Sequence, residues 1–165
     1  PLSGWMGHTS PFDFDLDYKP AKGIARNLCG TPSVLGMHAL ETALEVWEDV
    51  DLQLVREKSQ RMIELFAGLV DELCPDGGFS RVTTFPEESR GSQISLGHPD
   101  GYAIMQALID RGVIGDFRAP NILRFGMTPL YVSYSEIYQA VEILADIMAT
   151  GSWDQPKYHA RSAVT

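Results

Sequence analysis

The sequence predicts an α+β protein in which helices cover one face of a small, mainly antiparallel sheet. Three observations point there. Two long stretches in the first half carry apolar residues at helical spacing, the texture changes to short alternating runs after Ser80, and the second half then reads β-β-α-β-β-α.

The chain opens with Gly4-Trp5-Met6-Gly7-His8 and the acidic, aromatic run Pro11 to Tyr18, which has neither period 2 nor period 3.6 and reads as loop. Glycines around a large ring suit a backbone that approaches a ligand while the indole stacks or donates its N–H. A tryptophan plugging a surface gap is the other reading of the same five residues.

Thr31 followed by Pro32 reads as an N-cap and first helical residue, opening a helix to about Val50 with Met37, Leu40, Leu44 and Trp47 in register. Its free N–H groups, the Thr31 hydroxyl and Gly30 could hold a phosphate-like anion or simply cap the helix, and no Walker or GxGxxG pattern decides between them. Asp49-Val50-Asp51 breaks the pattern and marks a domain boundary. A second helix, about Leu52 to Leu73, carries Met62, Leu65, Phe66 and Leu69 on one face and ends at Pro75-Asp76-Gly77-Gly78.

Strands are expected over Arg81 to Phe85 and Gly91 to Leu96, where Ile94 and Leu96 alternate with polar residues. A helix follows from Pro99-Asp100-Gly101 and stops at Gly112. Val113-Ile114 and Ile122-Leu123 read as paired strands around a turn at Arg118 to Asn121, and Ser133 with Glu136 forms a capping box before a last amphipathic helix. Gly151 to Thr165 lacks any period and reads as a loosely held tail.

The singular charged residue is Arg124, on the second of those strand runs. A buried, unpaired guanidinium is too costly, so its side chain must meet a cleft, a solvated face or an acid. We read a cleft that receives a carboxylate, whose two oxygens match the planar fork of an arginine.

Composition narrows the classes. With 165 residues the chain is long enough for a real core, and its net charge of −9, with no basic cluster, argues against nucleic acid or an anionic membrane as partner. No apolar run approaches the roughly 18 residues of a membrane span, so the expectation is a soluble, cytoplasmic protein. Cys29 and Cys74 have no CxxC spacing and read as free thiols; the four histidines, His8, His38, His98 and His159, have no second ligand at metal spacing, so no metal is expected. No serine sits in a nucleophile elbow, and none of Lys19, Lys22, Lys58 and Lys157 lies in the apolar setting of a Schiff-base lysine. Trp5 with His8, Gly30-Thr31 and Arg124 are thus binding features with no catalytic residue in the chain. The start at Pro1, without a methionine, is read as a piece of a longer polypeptide.

Several blocks resemble the C-terminal portion of the kynureninase family, pyridoxal-phosphate hydrolases of fold type I, the aspartate-aminotransferase-like superfamily. They are Gly4-Trp5-x-Gly7-His8, Cys29-Gly30-Thr31-Pro32, Arg90-Gly91-Ser92-Gln93-Ile94-Ser95-Leu96, Gly101-Tyr102-Ala103-Ile104, Arg111 to Pro120, and Ile122-Leu123-Arg124-Phe125-Gly126-x-Thr128-Pro129-Leu130-Tyr131. Met6 stands where relatives often carry an aromatic. The resemblance implies that residues 1–50 end a large cofactor-binding domain, that 51–150 form the small C-terminal α+β domain, and that 151–165 are a tail.

It further implies hydrolysis of L-kynurenine or 3-hydroxykynurenine to anthranilate or 3-hydroxyanthranilate and L-alanine, in the tryptophan catabolism that feeds NAD biosynthesis. The implied cofactor is pyridoxal 5'-phosphate and the implied assembly a homodimer. Trp5 and Thr31 match residues that reach the cofactor phosphate from the neighbouring subunit, Arg124 matches the arginine gripping the substrate α-carboxylate, and His8 matches a position near the substrate. The family's cofactor-bonding lysine lies upstream of the segment resembled, so the chain alone is expected to be inactive, lacking the N-terminal part of the polypeptide. The remaining alternatives are a sibling of the superfamily, such as a cysteine desulfurase-like or class V aminotransferase enzyme, and a non-catalytic dimerisation or ligand-binding module. The two long helices are expected to expose apolar faces meant for the absent large domain.

Overall fold

A computed structural model describes residues 3–83, 86 and 89–161 of the chain. The chain divides into two compact units, Pro1–Val50 and Asp51–Thr165.

In the first unit, short 3-10 turns at Trp5–Gly7 and Gly23–Asn27 precede helix α1, Val34–Glu45. Helix α1 begins later than the sequence suggests. Ser33, not Thr31, is its N-cap, with the Ser33 Oγ accepting the Gly36 N–H at 3.3 Å, so Pro32 lies outside the helix. Beyond Glu45 the chain continues in turns to Val50, Trp47 N–H donating to Leu44 O at 2.9 Å. Among the described residues of this unit only Gly7 is buried, and Val34, Leu35, Met37, Leu40 and Leu44 are exposed along α1. That face matches the expectation of an uncovered apolar surface.

The second unit has a core of its own. Helix α2, Leu52–Leu73, is capped by Asp51, whose carboxylate accepts the N–H groups of Gln53 and Leu54. Its face of Met62, Ile63, Phe66, Ala67 and Val70 is buried inside this unit, which corrects the expectation that α2 as well as α1 leaves its apolar stripe uncovered.

Four strands follow: β1 Ser80–Arg81, β2 Gln93–Gly97, β3 Asp116–Arg118 and β4 Ile122–Gly126. They form one antiparallel sheet in the order β1-β2-β4-β3. The first strand is shorter than expected, and Thr84 and Phe85, which were assigned to it, lie outside the described residues. Ile94, Leu96, Phe117, Leu123 and Phe125 are buried on one face against α2 and α3 (Gly101–Asp110), and α4 (Tyr134–Thr150) packs on both helices. The alternation places Gln93, Ser95, Asp116, Arg118 and Arg124 on the opposite, polar face.

The pair Val113-Ile114 is not a strand. Gly112, at φ +86°, ends α3: its N–H reaches Ile109 O, and the Val113 N–H reaches back to Leu108 O at 2.9 Å. This is a glycine-terminated helix end with its apolar partner, and Val113 is spent on it, packing against the core while Ile114 is exposed. The strand starts only at Asp116.

The segment after Gly151 also departs from expectation as far as Arg161, residues 162–165 lying outside the described residues. Helix α5, Pro156–His159, is too short to show a period, yet side chains hold it: Lys157 Nζ and Tyr158 Oη both donate to Asp110 Oδ2, at 2.7 and 2.8 Å, and Tyr102 Oη donates to Ala160 O. Trp153 and Tyr158 pack against the core.

Candidate functional site

Arg124 is the middle residue of β4, one of the two inner strands, with Ser95 of β2 and Asp116 of β3 as its register neighbours. The three-residue turn Ala119 to Asn121, which contains the cis Ala119–Pro120 bond, sets that register by pairing Arg118 with Ile122. Its Nε donates to Asp116 Oδ2 at 2.9 Å and its Nη2 donates to the same oxygen. Arg118 Nη2 stands 3.2 Å from that oxygen too, so one carboxylate faces two guanidinium groups. The Arg124 and Asp116 side chains are 30 and 33 % exposed, enough for a ligand to reach them from the open face of the sheet. Of the three environments open to Arg124 from sequence, the structure supplies an acid on a partly solvated face.

Asp116 was missed, although a signal existed. Pairing across a three-residue turn places residues 116 and 124 opposite each other on one face, and the acid at that position is legible once the turn is fixed.

Trp5 and His8 lie in the first unit and line one cleft of about 390 Å³ together with Ser10, Pro11, Phe14 and Tyr18. The loop that forms it is closed at its base by the bridge His8–Pro20 and by the Thr9 N–H on Lys19 O. The Trp5 Nε1–H donates to Pro11 O, and the rings of Phe12 and Phe14 stand 5.6 and 6.4 Å from it. His8 Nδ1 accepts the Ser10 N–H at 2.9 Å, which leaves Nε2 to donate toward Asp17 O at 3.3 Å. Both side chains therefore brace the loop.

The glycines flanking Trp5 have a use other than the one expected. A Cβ on Gly4 would lie 2.1 Å from Cys29 O, and one on Gly7 would lie 2.6 Å from Arg26 O. The Trp5 turn thus lies directly on the backbone that leads to Thr31, and these glycines admit the chain's own main chain. Thr31 itself is exposed in a bend before α1, not among the residues lining the Trp5 cleft, and no atom stands within 4 Å of a Cβ built on Gly30.

Among the described residues no group of three His, Cys, Asp or Glu is placed to hold a metal ion, and no helix is long and apolar enough to cross a membrane. Both cysteines are free thiols, Cys29 exposed and Cys74 buried. Three lysines are committed to structure: Lys19 to Asp15, Lys157 to Asp110, and Lys58, which ties α2 to the β4–α4 connection by donating to Pro129 O at 2.6 Å and Val132 O at 3.0 Å.

Residues 55–144 match the family model described as the kynureninase C-terminal domain. Over all 165 residues the chain is 44 % identical to the kynureninase of Pseudomonas fluorescens, and 46 % identical to those of Burkholderia mallei (strain SAVP1) and Burkholderia pseudomallei (strain K96243). It spans 40 % of the length of each of these relatives. With the matched region running from α2 to near the middle of α4, and so through the whole sheet that carries Arg124, the chain belongs to the kynureninase C-terminal domain family.

Proposed function

We propose that this chain is the C-terminal part of a kynureninase, a cytoplasmic, homodimeric hydrolase that uses pyridoxal 5'-phosphate to convert L-kynurenine or 3-hydroxykynurenine, with water, to anthranilate or 3-hydroxyanthranilate and L-alanine. The observation that carries this reading is Arg124: a partly exposed guanidinium on an inner strand, inside the region shared with the family, with a carboxylate against only one of its edges. Its role is to bind the α-carboxylate of the substrate and fix the amino acid's orientation.

The residues of the first unit suit a supporting place at the cofactor. The exposed Thr31 hydroxyl and the open space over Gly30 fit a phosphate oxygen, whereas Trp5 would reach one only by releasing Pro11 O. When bound, pyridoxal 5'-phosphate supplies the electron sink for breaking the Cβ–Cγ bond of the substrate. Thr31 and Trp5 would hold its phosphate, His8 would border the substrate, and Arg124 would set the distance between substrate and cofactor.

Lys19, Lys58 and Lys157 are each engaged by carboxylates or carbonyls and Lys22 is exposed to water, so no described lysine stands in the apolar setting of a Schiff-base lysine. The 165-residue chain alone is therefore expected to leave L-kynurenine unchanged. The scarcity of buried residues among the described residues of the first unit and the bare apolar face of α1 support the same reading, because such a unit needs a further body to cover it.

The test is Arg124→Lys and Arg124→Gln in the longer polypeptide that carries this chain. Loss of the bidentate carboxylate contact is expected to lower kcat/KM for L-kynurenine by about a hundredfold or more, Gln costing more than Lys. Unchanged kcat/KM in both variants would remove Arg124 from substrate binding.

A further inference from the structure

The guanidinium of Arg124 has two edges that present paired N–H donors, and the structure uses one. Nε and Nη2, which form its side edge, both donate to Asp116 Oδ2. Among the described residues no acceptor other than Asp116 is hydrogen-bonded to it, so the end edge formed by Nη1 and Nη2 carries no protein carboxylate of its own, and the side chain is 30 % exposed. Asp116 is itself fixed by β3, opposite Arg124 in the register, and Arg118 approaches its Oδ2 from the same strand.

We propose that Asp116 is a positioning residue for Arg124. By occupying the Nε–Nη2 edge it holds the long side chain in one rotamer and reserves the Nη1–Nη2 edge for the carboxylate of an amino-acid ligand. This rests on the reading of Arg124 as a carboxylate-binding residue.

Two physical considerations favour positioning over simple neutralisation. An arginine loses side-chain entropy when it is ordered, and an ion pair formed before the ligand arrives removes that cost from binding. A ligand carboxylate arriving beside Asp116 would also meet like charge. Arg118 offsets that repulsion, since the two guanidinium groups around one carboxylate leave a net positive face. Arginine at position 118 is thus the second positive group beside Asp116 where a ligand carboxylate would arrive.

The first measurement is made on the longer polypeptide that carries this chain and needs no catalysis. In nitrogen-15 spectra the Arg124 Nε–H signal is expected to be shifted and protected from exchange, and to lose both properties in Asp116→Asn. An Arg124 signal that D116N leaves unmoved overturns the proposal. Asp116→Glu, which keeps the charge on a longer stem, serves as the second variant where D116N does not fold, and is expected to shift the signal while retaining part of its protection.

The second measurement uses the longer enzyme. D116N is expected to raise KM for L-kynurenine by about tenfold to a hundredfold, with a smaller change in kcat and partial rescue by D116E. Binding of an analogue with hydrogen in place of the α-carboxylate is expected to be unaffected. Equal weakening of both compounds would mark a general structural defect and overturn the proposal. A D116N chain that loses the Arg124 signal while its enzyme keeps an unchanged KM would support the positioning and refute the assignment of Arg124 to the substrate, which separates the two failures.

Discussion

His98 accepts the backbone N–H of Asp100 on its Nδ1 at 3.0 Å, which leaves the ring proton on Nε2, hydrogen-bonded to the Gly77 backbone. One neutral imidazole thereby joins the start of α3 to the turn after α2, between the rings of Phe79 and Trp153 at 5.2 and 6.2 Å. Burial pushes its pKa below the ordinary 6.5, against the opposing pull of the Asp100 charge and the Gly77 hydrogen bond.

The sign of the resulting pH dependence follows from proton binding. Above 6.5 the imidazole is neutral in both folded and unfolded chains, and its contribution to stability is complete. As pH falls through 6.5 the unfolded chain takes up the proton first, so stability declines until the lower, folded pKa is passed. Urea midpoints measured between pH 7.5 and 5.5, about one unit either side of the usual histidine value, are expected to fall in the native sequence and to fall less in His98→Phe. Identical slopes for the two proteins would show that His98 does not titrate in this way.

Two glycines on helices are expected to respond oppositely to alanine. Gly68 is exposed within α2 and has no atom within 4 Å of a built Cβ, so Gly68→Ala is expected to stabilise the protein by about 1 kcal/mol through helix propensity. At Gly101, the first residue of α3, the added carbon would lie 2.9 Å from Leu123 Cδ1 and 3.1 Å from Asn121 O. Gly101→Ala is expected to cost about 1–3 kcal/mol, because Leu123 belongs to the closed core and the Asn121 carbonyl also accepts the His98 N–H. Chemical denaturation of both variants checks the difference in sign.

Local chemistry explains which parts of the fold were legible. The capping box at Ser133 and the stop at Gly112 are set by neighbours within a few residues, and both are found in the structure, whereas the one-sided burial read from the alternation around Ile94 is not, since Ser95 and Gly97 are buried as well as Ile94 and Leu96. Val113-Ile114 misled because an apolar pair after a glycine serves equally to close a helix and to start a strand. The hydroxyls of Thr31 and Ser33 flank one proline, and only backbone geometry chose Ser33 as the cap. Arg124 stood out by its charge between apolar residues, whereas its partner Asp116 depends on a strand register that a few residues of turn decide. The anchoring of α5 rests on Asp110 and Tyr102, more than forty residues away, and leaves no periodic trace.

The two thiols should separate cleanly by reactivity. Cys74 closes α2 in a buried position, and burial raises its pKa above the ordinary 9.0, which lowers the thiolate fraction at neutral pH. Cys29 is exposed beside the Trp5 turn. A thiol reagent at pH 8, about one unit below that ordinary value, is expected to label Cys29 in the native chain and Cys74 only after denaturation. Rapid labelling of both in the native state would show that the end of α2 opens readily.

The start of α4 offers a test of reciprocal capping. The Glu136 N–H donates to Ser133 Oγ at 3.2 Å, while the Ser133 N–H and hydroxyl both donate to Glu136 Oε2 at 2.7 Å. The hydroxyl first, then the backbone N–H, holds the Glu136 carboxyl below its usual 4.5. Ser133→Ala is expected to cost about 1 kcal/mol at neutral pH, since it strips the cap from a helix whose Ile137, Val141, Leu144 and Ile147 are all buried. Glu136→Gln keeps the shape but not the charge. Because the folded pKa is depressed, the charge contributes fully above 4.5 and its contribution is lost as pH falls through the folded value. The difference in unfolding midpoint between the native chain and E136Q is therefore expected to be largest at neutral pH and to close under acid. A difference that persists unchanged at low pH would assign the effect of Gln to packing, leaving the carboxylate without a part in the cap.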